Sequence, residues 1–570
     1  MSDDVDRPVS RGEMESGTIE DVSRDNIRLL LIVAAFAAFV ACAGLWSLPP
    51  IDRDESRFAQ ATAQMIESGD YLVIRFQDRE RNKKPAGIYW LQAASVSVLS
   101  NVEKREIWAY RIPSVVGAIL AAIFTFLIGK SLYDQRTAFL AALLIASAPV
   151  TAVEATVAKT DSMLLALICA AQFAFVKIYA GMQQKKTAGL KWPIIFWTAQ
   201  SAAILVKGPV APIVSVLTGV GLLSGKPRTA WITRMRPVLG ALILITLITP
   251  WALAIGGATE GRFFSEAMGG DLLSKIASAQ ESHAGPPGYH LLLIWILFWP
   301  AAALLAPGLF HIWRERDQWQ ARFLLSWVIP AWVVFEFTAT KLPHYVLPLY
   351  PALAIIAARA ATRFAAPTSA FVRPGALLYG VVSLVAAGFI VALPVLLEER
   401  SLIPASIAAA GFIGAAGLFI TSLFWRGRSF QGGVAASGLA AAVAWVVLTG
   451  IMPALTKPAI SSRLSATLEE AARHPLMDDT LPVALAGYSE PSAVFLLGTD
   501  TVLTSGADAA SKLISGEISA AVIDRTEQQY FLSHIDSAQT DVRALAEIDG
   551  LNYSNGQRVS LSIFVRDTSN

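Results

Sequence analysis

The sequence predicts an all-α polytopic membrane domain followed by a small C-terminal α/β domain, and three observations carry that reading. First, 54% of the 570 residues are hydrophobic and only 16% are charged, where a soluble chain carries roughly a quarter charged residues. Second, apolar runs of roughly 20 residues recur along most of the chain, the length that crosses a hydrocarbon core about 30 Å thick. Third, those runs stop near residue 453, and the rest has ordinary soluble composition with short strand-like pieces. The formal charge of +2 gives no reason to expect a nucleic-acid partner, because in a membrane chain charges matter by position. The two cysteines, Cys42 and Cys169, lie inside apolar runs, so neither a disulfide framework nor a metal-ligand spacing is expected.

Residues 1–28 mix Asp, Glu, Ser and Arg and read as a disordered cytoplasmic tail. The first apolar run, 29–47, lacks a small-residue cleavage pattern and reads as a span rather than a removable signal. Further spans are expected near 107–129, 137–153, 161–182, 191–206, 209–224, 236–256, 290–312, 322–340, 343–362, 374–396, 403–425 and 434–453. That makes about thirteen, all within a membrane domain of residues 29–453. Lys207-Gly208-Pro209 is a helix stop and restart between two of them.

With the N-terminus placed in the cytoplasm, the inward loops are short and basic. They include KPRTAWITRMR (226–236) and RERDQWQAR (314–322), as the positive-inside rule requires. Three larger segments then fall on the opposite, periplasmic side of a bacterial inner membrane. One is 48–106, whose AGIYWLQAASVSVL stretch (86–99) is too short to span and suits an interfacial helix. Another is 257–289, rich in Gly and Pro, and the last is 454–570. Strands are expected there at 482–488, 520–525 and 559–566.

The candidate chemistry collects on that far side. Asp52, Arg53, Asp54, Glu55 and Arg57 follow the first span, and Lys83-Lys84-Pro85 lie in the first loop. Lys159, Thr160 and Asp161 open the fourth span, and Lys207 sits in the helix break. Glu281 and His283 lie in the second loop, and Lys341, His344 and Tyr345 lie at another break. Charges at membrane level are expensive and by default mark function. Carboxylates can take a proton from an attacking hydroxyl, and Lys and Arg can hold a phosphate leaving group. Each residue has a plainer alternative: interfacial charge for Asp52 and Asp54, a helix N-cap for Asp161, snorkelling for Lys207, a loop residue for His283, and a belt aromatic for Tyr345. Their joint placement is what favours a site.

One segment carries a resemblance. IDRDESRFAQATAQMIESGDYLVIRFQDRERNKKPAGIYW (51–90) resembles the first periplasmic loop of the aminoarabinose transferase family, within the wider protein-mannosyltransferase-like group. The matching residues are Asp54-Glu55, Arg57, Gly69-Asp70-Tyr71-Leu72-Val73, Lys84-Pro85 and Tyr89-Trp90. The match continues at Lys159-Thr160-Asp161, at Val206-Lys207-Gly208-Pro209, at KLPHYVLP (341–348) and at GLNYSNGQRVSLSIF (550–564). The resemblance implies a GT-C fold and transfer of a sugar, with inversion, from a polyprenyl-phosphate donor to a lipid or glycolipid acceptor such as lipid A. It implies that Asp54 is the principal carboxylate, with Glu55 beside it and Asp161 as its acidic partner. Arg57, Lys84, Lys207 and Tyr345 are the implied donor-phosphate or acceptor contacts; His283 and Lys341 are candidate substrate contacts by their far-side placement.

Many relatives carry an acidic residue where this chain has Lys83. If that carboxylate helps bind a divalent metal ion in the relatives, the lysine puts the metal in doubt here, and no metal ligands are assigned. The ESHAGPPG run (281–288) also departs from the relatives' aromatic-rich loop. Two other readings compete: a lipid-linked-sugar flippase, which would show related halves and midplane charges, and a protein O-mannosyltransferase.

Overall fold

The computed structural model describes residues 19–186, 188–225, 229–267, 269, 285–363, 372–477 and 480–567, with side chains from residue 26. Helix α1 (Ile19–Ala41) begins inside the stretch expected to be a polar tail. The following loop carries α2 (Asp54–Ser68), a short β1–β2 hairpin (Arg75–Phe76, Arg79–Glu80) and α3 (Gly87–Leu99). The expected interfacial helix is α3. It buries Ile88, Tyr89, Gln92 and Ala93 and exposes Leu91, Val98 and Leu99, an apolar flank suited to a bilayer interface. The G-D-Y-L-V motif proves to be a turn. Gly69 caps α2 at φ 69°, and Asp70 accepts from the Leu72 and Val73 N–H groups and pairs with Arg75. Burial works against the Asp70 charge, but those two donors and Arg75 hold its carboxyl below the ordinary range.

The bundle continues through α4 (Ile107–Leu132), α5 (Gln135–Ala146), α6 (Pro149–Ala155), α7 (Asp161–Gln183), α8 (Lys191–Lys207), α9 (Val210–Leu222) and α10 (Pro237–Ala258). It closes with α11 (Tyr289–Leu297), α12 (Ala302–Arg314), α13 (Trp319–Phe337), α14 (Tyr350–Arg363), α15 (Val372–Leu396), α16 (Ile403–Trp425) and α17 (Ser429–Trp445).

Among the described residues six helices are long and apolar enough to cross a membrane, or up to eight if each of two bent pairs counts as one span. Length and composition alone therefore do not reach the expected thirteen. The helix at 209–224 has only 13 residues, and at 29–47 the helix α1 ends at Ala41, short of the expected end of the span. The run read as one span at 137–153 breaks by 60° between α5 and α6, where Pro149 starts a new helix. The run at 290–312 breaks by 90° between α11 and Trp299, beside Pro300. The bundle has a clear centre and rim. The most apolar window of α7 is 83% buried and that of α10 only 17%, so α7 is central and α10 peripheral.

The C-terminal domain holds α18 (Ile460–Glu470), β3 (Val483–Ala486), α19 (Pro491–Leu497), β4 (Val502–Thr504), α20 (Gly506–Ser515), β5 (Ala520–Asp524), α21 (Gln528–Ala538), β6 (Val542–Asn552) and β7 (Gln557–Arg566). Its sheet order is β4-β3-β5-β7-β6. The first three strands run parallel, and β7 runs antiparallel to both β5 and β6. Because β3 and β5 are buried on both faces, they read as continuous apolar runs. One apolar cluster joins the sheet to α18 and α19, and the other joins it to α20 and α21.

Contacts to α4 and to the first loop dock this domain. Phe495 meets Tyr110 edge-on, with centroids 5.2 Å apart. Thr499 and Thr501 accept from Gln60 and Gln77. On the other side, the β6–β7 turn meets residues 52 and 53. The Asp52 N–H donates to the Tyr553 hydroxyl, and Arg53 donates to the Ser554 carbonyl.

Candidate functional site

The site lies at the end of the bundle to which the C-terminal domain is docked. Two close helix approaches assemble it. A Cβ on Gly117 would fall 2.5 Å from the Ser162 backbone, so this glycine lets α4 lie against the first turn of α7. A Cβ on Gly87 would fall 2.6 Å from the Leu205 carbonyl. The start of α3, just after Lys84-Pro85, is thereby brought against the end of α8, where Lys207 sits. The stop at Lys207 is real. Gly208 follows with φ 69° and ψ −144°, a conformation that L side chains avoid.

Asp54 is the first residue of α2, where the helix dipole favours a negative charge. Its predecessor Arg53 has φ 65° and ψ −105°, a strained geometry for a non-glycine residue. The Asp54 carboxylate is exposed and has no hydrogen-bond or ion-pair partner among the described residues. Its charge acts on Lys159. Glu55, its neighbour, is wholly buried. One oxygen accepts from Arg111 Nε at 2.8 Å and Ala158 N at 2.7 Å, and the other from Arg111 Nη2 at 2.8 Å and Ile51 N at 2.9 Å. With four donors it has no oxygen to offer a substrate. The geometry therefore replaces the sequence-based catalytic role with that of a tie. Through Ala158, Glu55 ties the turn that bears Asp54 to the loop that bears Lys159 and Asp161. Ser114 on α4 fastens the same loop by donating to the Val157 carbonyl at 2.7 Å.

Asp161 is the centre of a charged cluster. Lys207 Nζ lies 2.5 Å from its Oδ1 and His344 Nε2 lies 3.6 Å from the same atom. Lys159 Nζ lies 4.0 Å from its Oδ2. Lys159 also pairs with Glu154 at 2.9 Å, and His344 Nδ1 lies 3.5 Å from the other Glu154 oxygen. Tyr345 packs edge-on against His344. Arg57 is partly exposed and lacks a carboxylate partner among the described residues.

Two expected contacts do not join this cluster. Lys341 is buried, and its Nζ donates to the Gly285 carbonyl at 2.8 Å, so it anchors the end of the second loop. His283 lies outside the described residues, as does Glu281. Glu154 and Arg111 escaped the sequence reading. The only signal for either is a lone charge inside an apolar stretch.

Among the described residues, no group of three or more His, Cys, Asp or Glu side chains is placed to hold a metal ion. Lys159 and Lys207 occupy the positions beside Asp161 that a cation would take. The described residues of this cluster do not fit a metal ion.

Residues 83–253 match the family described as dolichyl-phosphate-mannose-protein mannosyltransferase. The chain is 27% identical over 344 residues to an undecaprenyl phosphate-α-4-amino-4-deoxy-L-arabinose arabinosyl transferase of Pseudomonas fluorescens, and 28% identical over 337 residues to one of Pseudomonas aeruginosa. The first match covers 58% of each chain, and the second 57% of this chain and 58% of the relative, so the chain spans little more than half the length of these relatives. In structure it superposes on ArnT of Cupriavidus metallidurans bound to undecaprenyl phosphate, with a TM-score of 0.74 at 19% identity over 94% of this chain and 97% of that one. Its fold is the GT-C fold. A more distant likeness, with a TM-score of 0.51 at 12% identity, is to the oligosaccharyltransferase of Archaeoglobus fulgidus, covering 88% of this chain and 69% of that one. The GT-C fold of this chain thus keeps the helical membrane domain and the small sheet domain that the motifs implied, with the charged cluster at their junction.

Proposed function

We propose that this chain is an integral-membrane, inverting glycosyltransferase that moves a sugar from a polyprenyl-phosphate donor to a lipid A-type acceptor. One observation carries the reading: an exposed, unpaired carboxylate, Asp54, beside a cluster of lysines and carboxylates at one end of the bundle, under a docked soluble domain. The match to arabinosyl transferases that use undecaprenyl phosphate supports it.

In this reading the acceptor oxygen attacks the anomeric carbon while the bond from that carbon to the phosphate oxygen breaks. Asp54 takes the acceptor's proton. Lys84, Arg57 and Lys207 hold the phosphate as its charge grows, with Tyr345 at the same wall. Asp161 holds Lys207 at its station. The site faces the periplasm of a bacterial inner membrane, and the N-terminus lies in the cytoplasm. Residues 29–453 form the catalytic membrane domain and 454–570 the periplasmic domain.

Purified protein given a polyprenyl-phosphate sugar and lipid A should yield both glycosylated lipid and free polyprenyl phosphate, read by mass spectrometry. If intact sugar lipid only changes leaflet in a liposome and no acceptor is modified, the chain is a flippase. Alkaline phosphatase fused after residue 460 should be active and a fusion at 230 inactive. The reverse pattern moves the site to the cytoplasm.

A further inference from the structure

The charged cluster has a rear wall that the transfer reading leaves unused. Glu154 lies on α6, the short helix set 60° to α5. Its two oxygens go separate ways: Oε2 to Lys159 at 2.9 Å and Oε1 to His344 Nδ1 at 3.5 Å. Both partners then face Asp161, Lys159 at 4.0 Å from Oδ2 and His344 Nε2 at 3.6 Å from Oδ1. The four side chains close a ring, Glu154–Lys159–Asp161–His344, and Lys207 attaches to its Asp161 corner.

Exposure ranks the members. The Glu154 side chain is 6% exposed and Lys207 17%, with Asp161, Lys159 and His344 between them. Glu154 is therefore the back of the ring and Lys207 its mouth. His344 turns one nitrogen toward each carboxylate, Nδ1 to Glu154 and Nε2 to Asp161, and so stands between the two.

We infer that Glu154 is a positioning residue: through Lys159 and His344 it fixes the orientation of the Asp161 carboxylate and so the station of Lys207 at the site. Glu154 itself touches no substrate. Without its charge, Lys159 and His344 are both free to turn onto Asp161, and Asp161 can no longer hold Lys207 in a single geometry. The inference rests on the transferase reading.

The test is Glu154→Gln in the full-length protein, with turnover expressed per folded molecule. The amide keeps the shape and removes the charge. The expected result is a fall in kcat/KM for the donor of about tenfold or more, as for other carboxylates that orient a functional group from behind, with kcat falling too and Glu154→Asp restoring part of the rate. On an Asp161→Asn background, whose residual transfer is read by mass over long incubation, Glu154→Gln should cause no further loss, because its route to the site is already cut. A wild-type rate in Glu154→Gln, a loss explained by reduced folded protein alone, or a full further drop on the Asp161→Asn background each overturns the inference and leaves the transferase reading standing. A wild-type protein that never glycosylates an acceptor overturns both.

Discussion

Glu55 and Asp161 are buried carboxylates at the same end of the bundle, and they are held in opposite ways. Glu55 takes four hydrogen bonds of 2.7–2.9 Å, two of them from Arg111 and two from backbone N–H groups. Its side chain and that of Arg111 are wholly enclosed. Asp161 has one short contact, to Lys207, while His344 and Lys159 stand off at 3.6 and 4.0 Å. A saturated ion pair of the first kind fixes backbone segments and has nothing left for a substrate. A looser cluster of the second kind can exchange a partner for a phosphate without leaving a charge stranded. The fixed pair sets the frame, and the loose cluster sits where the frame brings three loops together.

The contrast is sharpest between Asp54 and Glu55, adjacent in sequence and turned about 100° apart on the helix. Asp54→Asn should lower transfer by about 10²–10⁴-fold while folded yield in detergent stays normal, because an exposed residue at a helix start contributes at most about 1 kcal/mol. A near-normal rate of lipid modification from well-expressed Asp54→Asn would remove Asp54 from the chemistry. Glu55→Gln should do the reverse. Leaving Arg111 charged and unpaired in the interior costs about 3–5 kcal/mol, so thermal unfolding should shift down sharply and most activity loss should follow the loss of folded protein. Stable Glu55→Gln protein with no turnover would instead put Glu55 among the reacting groups.

Lys84→Ala tests the loose side. One charge-assisted contact to phosphate is worth about 1.5–3 kcal/mol, so catalytic efficiency toward the donor should fall roughly tenfold to a hundredfold. Turnover should fall along with affinity, because the phosphate gains charge as it departs. If only donor affinity fell, Lys84 would be a headgroup clamp with no part in the transfer step.

Much of this arrangement was legible in the sequence. The motifs DRDESR, KKP, KTD, VKGP and KLPHY put nearly all of the cluster on one side before any geometry was known. Two kinds of information were missing. Glu154 and Arg111 are single charges inside apolar runs, and their partners lie elsewhere in the chain: Glu55 for Arg111, His344 for Glu154. No local pattern distinguishes a ring member from a stray charge. The direction of a side chain was equally hidden, since Asp54 and Glu55 carry the same chemistry and differ only in which way the helix turns them. In the fold, β3, β5 and β7 announced themselves as strand-like pieces among turn residues. By contrast β6, exposed on much of its length, and β4, only three residues long, did not. The two bent helix pairs read as single spans because hydropathy sums over a kink.

The smallest expected effect concerns the hinge between frame and roof. Asp52 lies where the first loop meets the C-terminal domain, accepting from Ser492 N at 3.2 Å. Burial pushes its carboxyl up to about 6, with Glu490 adding to the push and hydrogen bonds from Ser492 and Tyr553 opposing it. A carboxyl raised in this way keeps its proton in the folded protein at pH values where the unfolded chain has lost it. The folded state is therefore most favoured below about pH 4, loses stability as pH rises toward 6, and carries the whole penalty above that. At about 1.4 kcal/mol per unit, a rise from 3.8 to about 6 amounts to no more than about 3 kcal/mol, reduced by the solvent that still reaches the group. Asn at this position can still accept from Ser492 and has no charge to desolvate. Asp52→Asn should thus raise the unfolding temperature at pH 7.5 and raise it by roughly a third as much at pH 4.5, measured side by side in the same detergent. An equal shift at both pH values would mean that Asp52 does not titrate in this window, and that the junction between the two domains is indifferent to its charge.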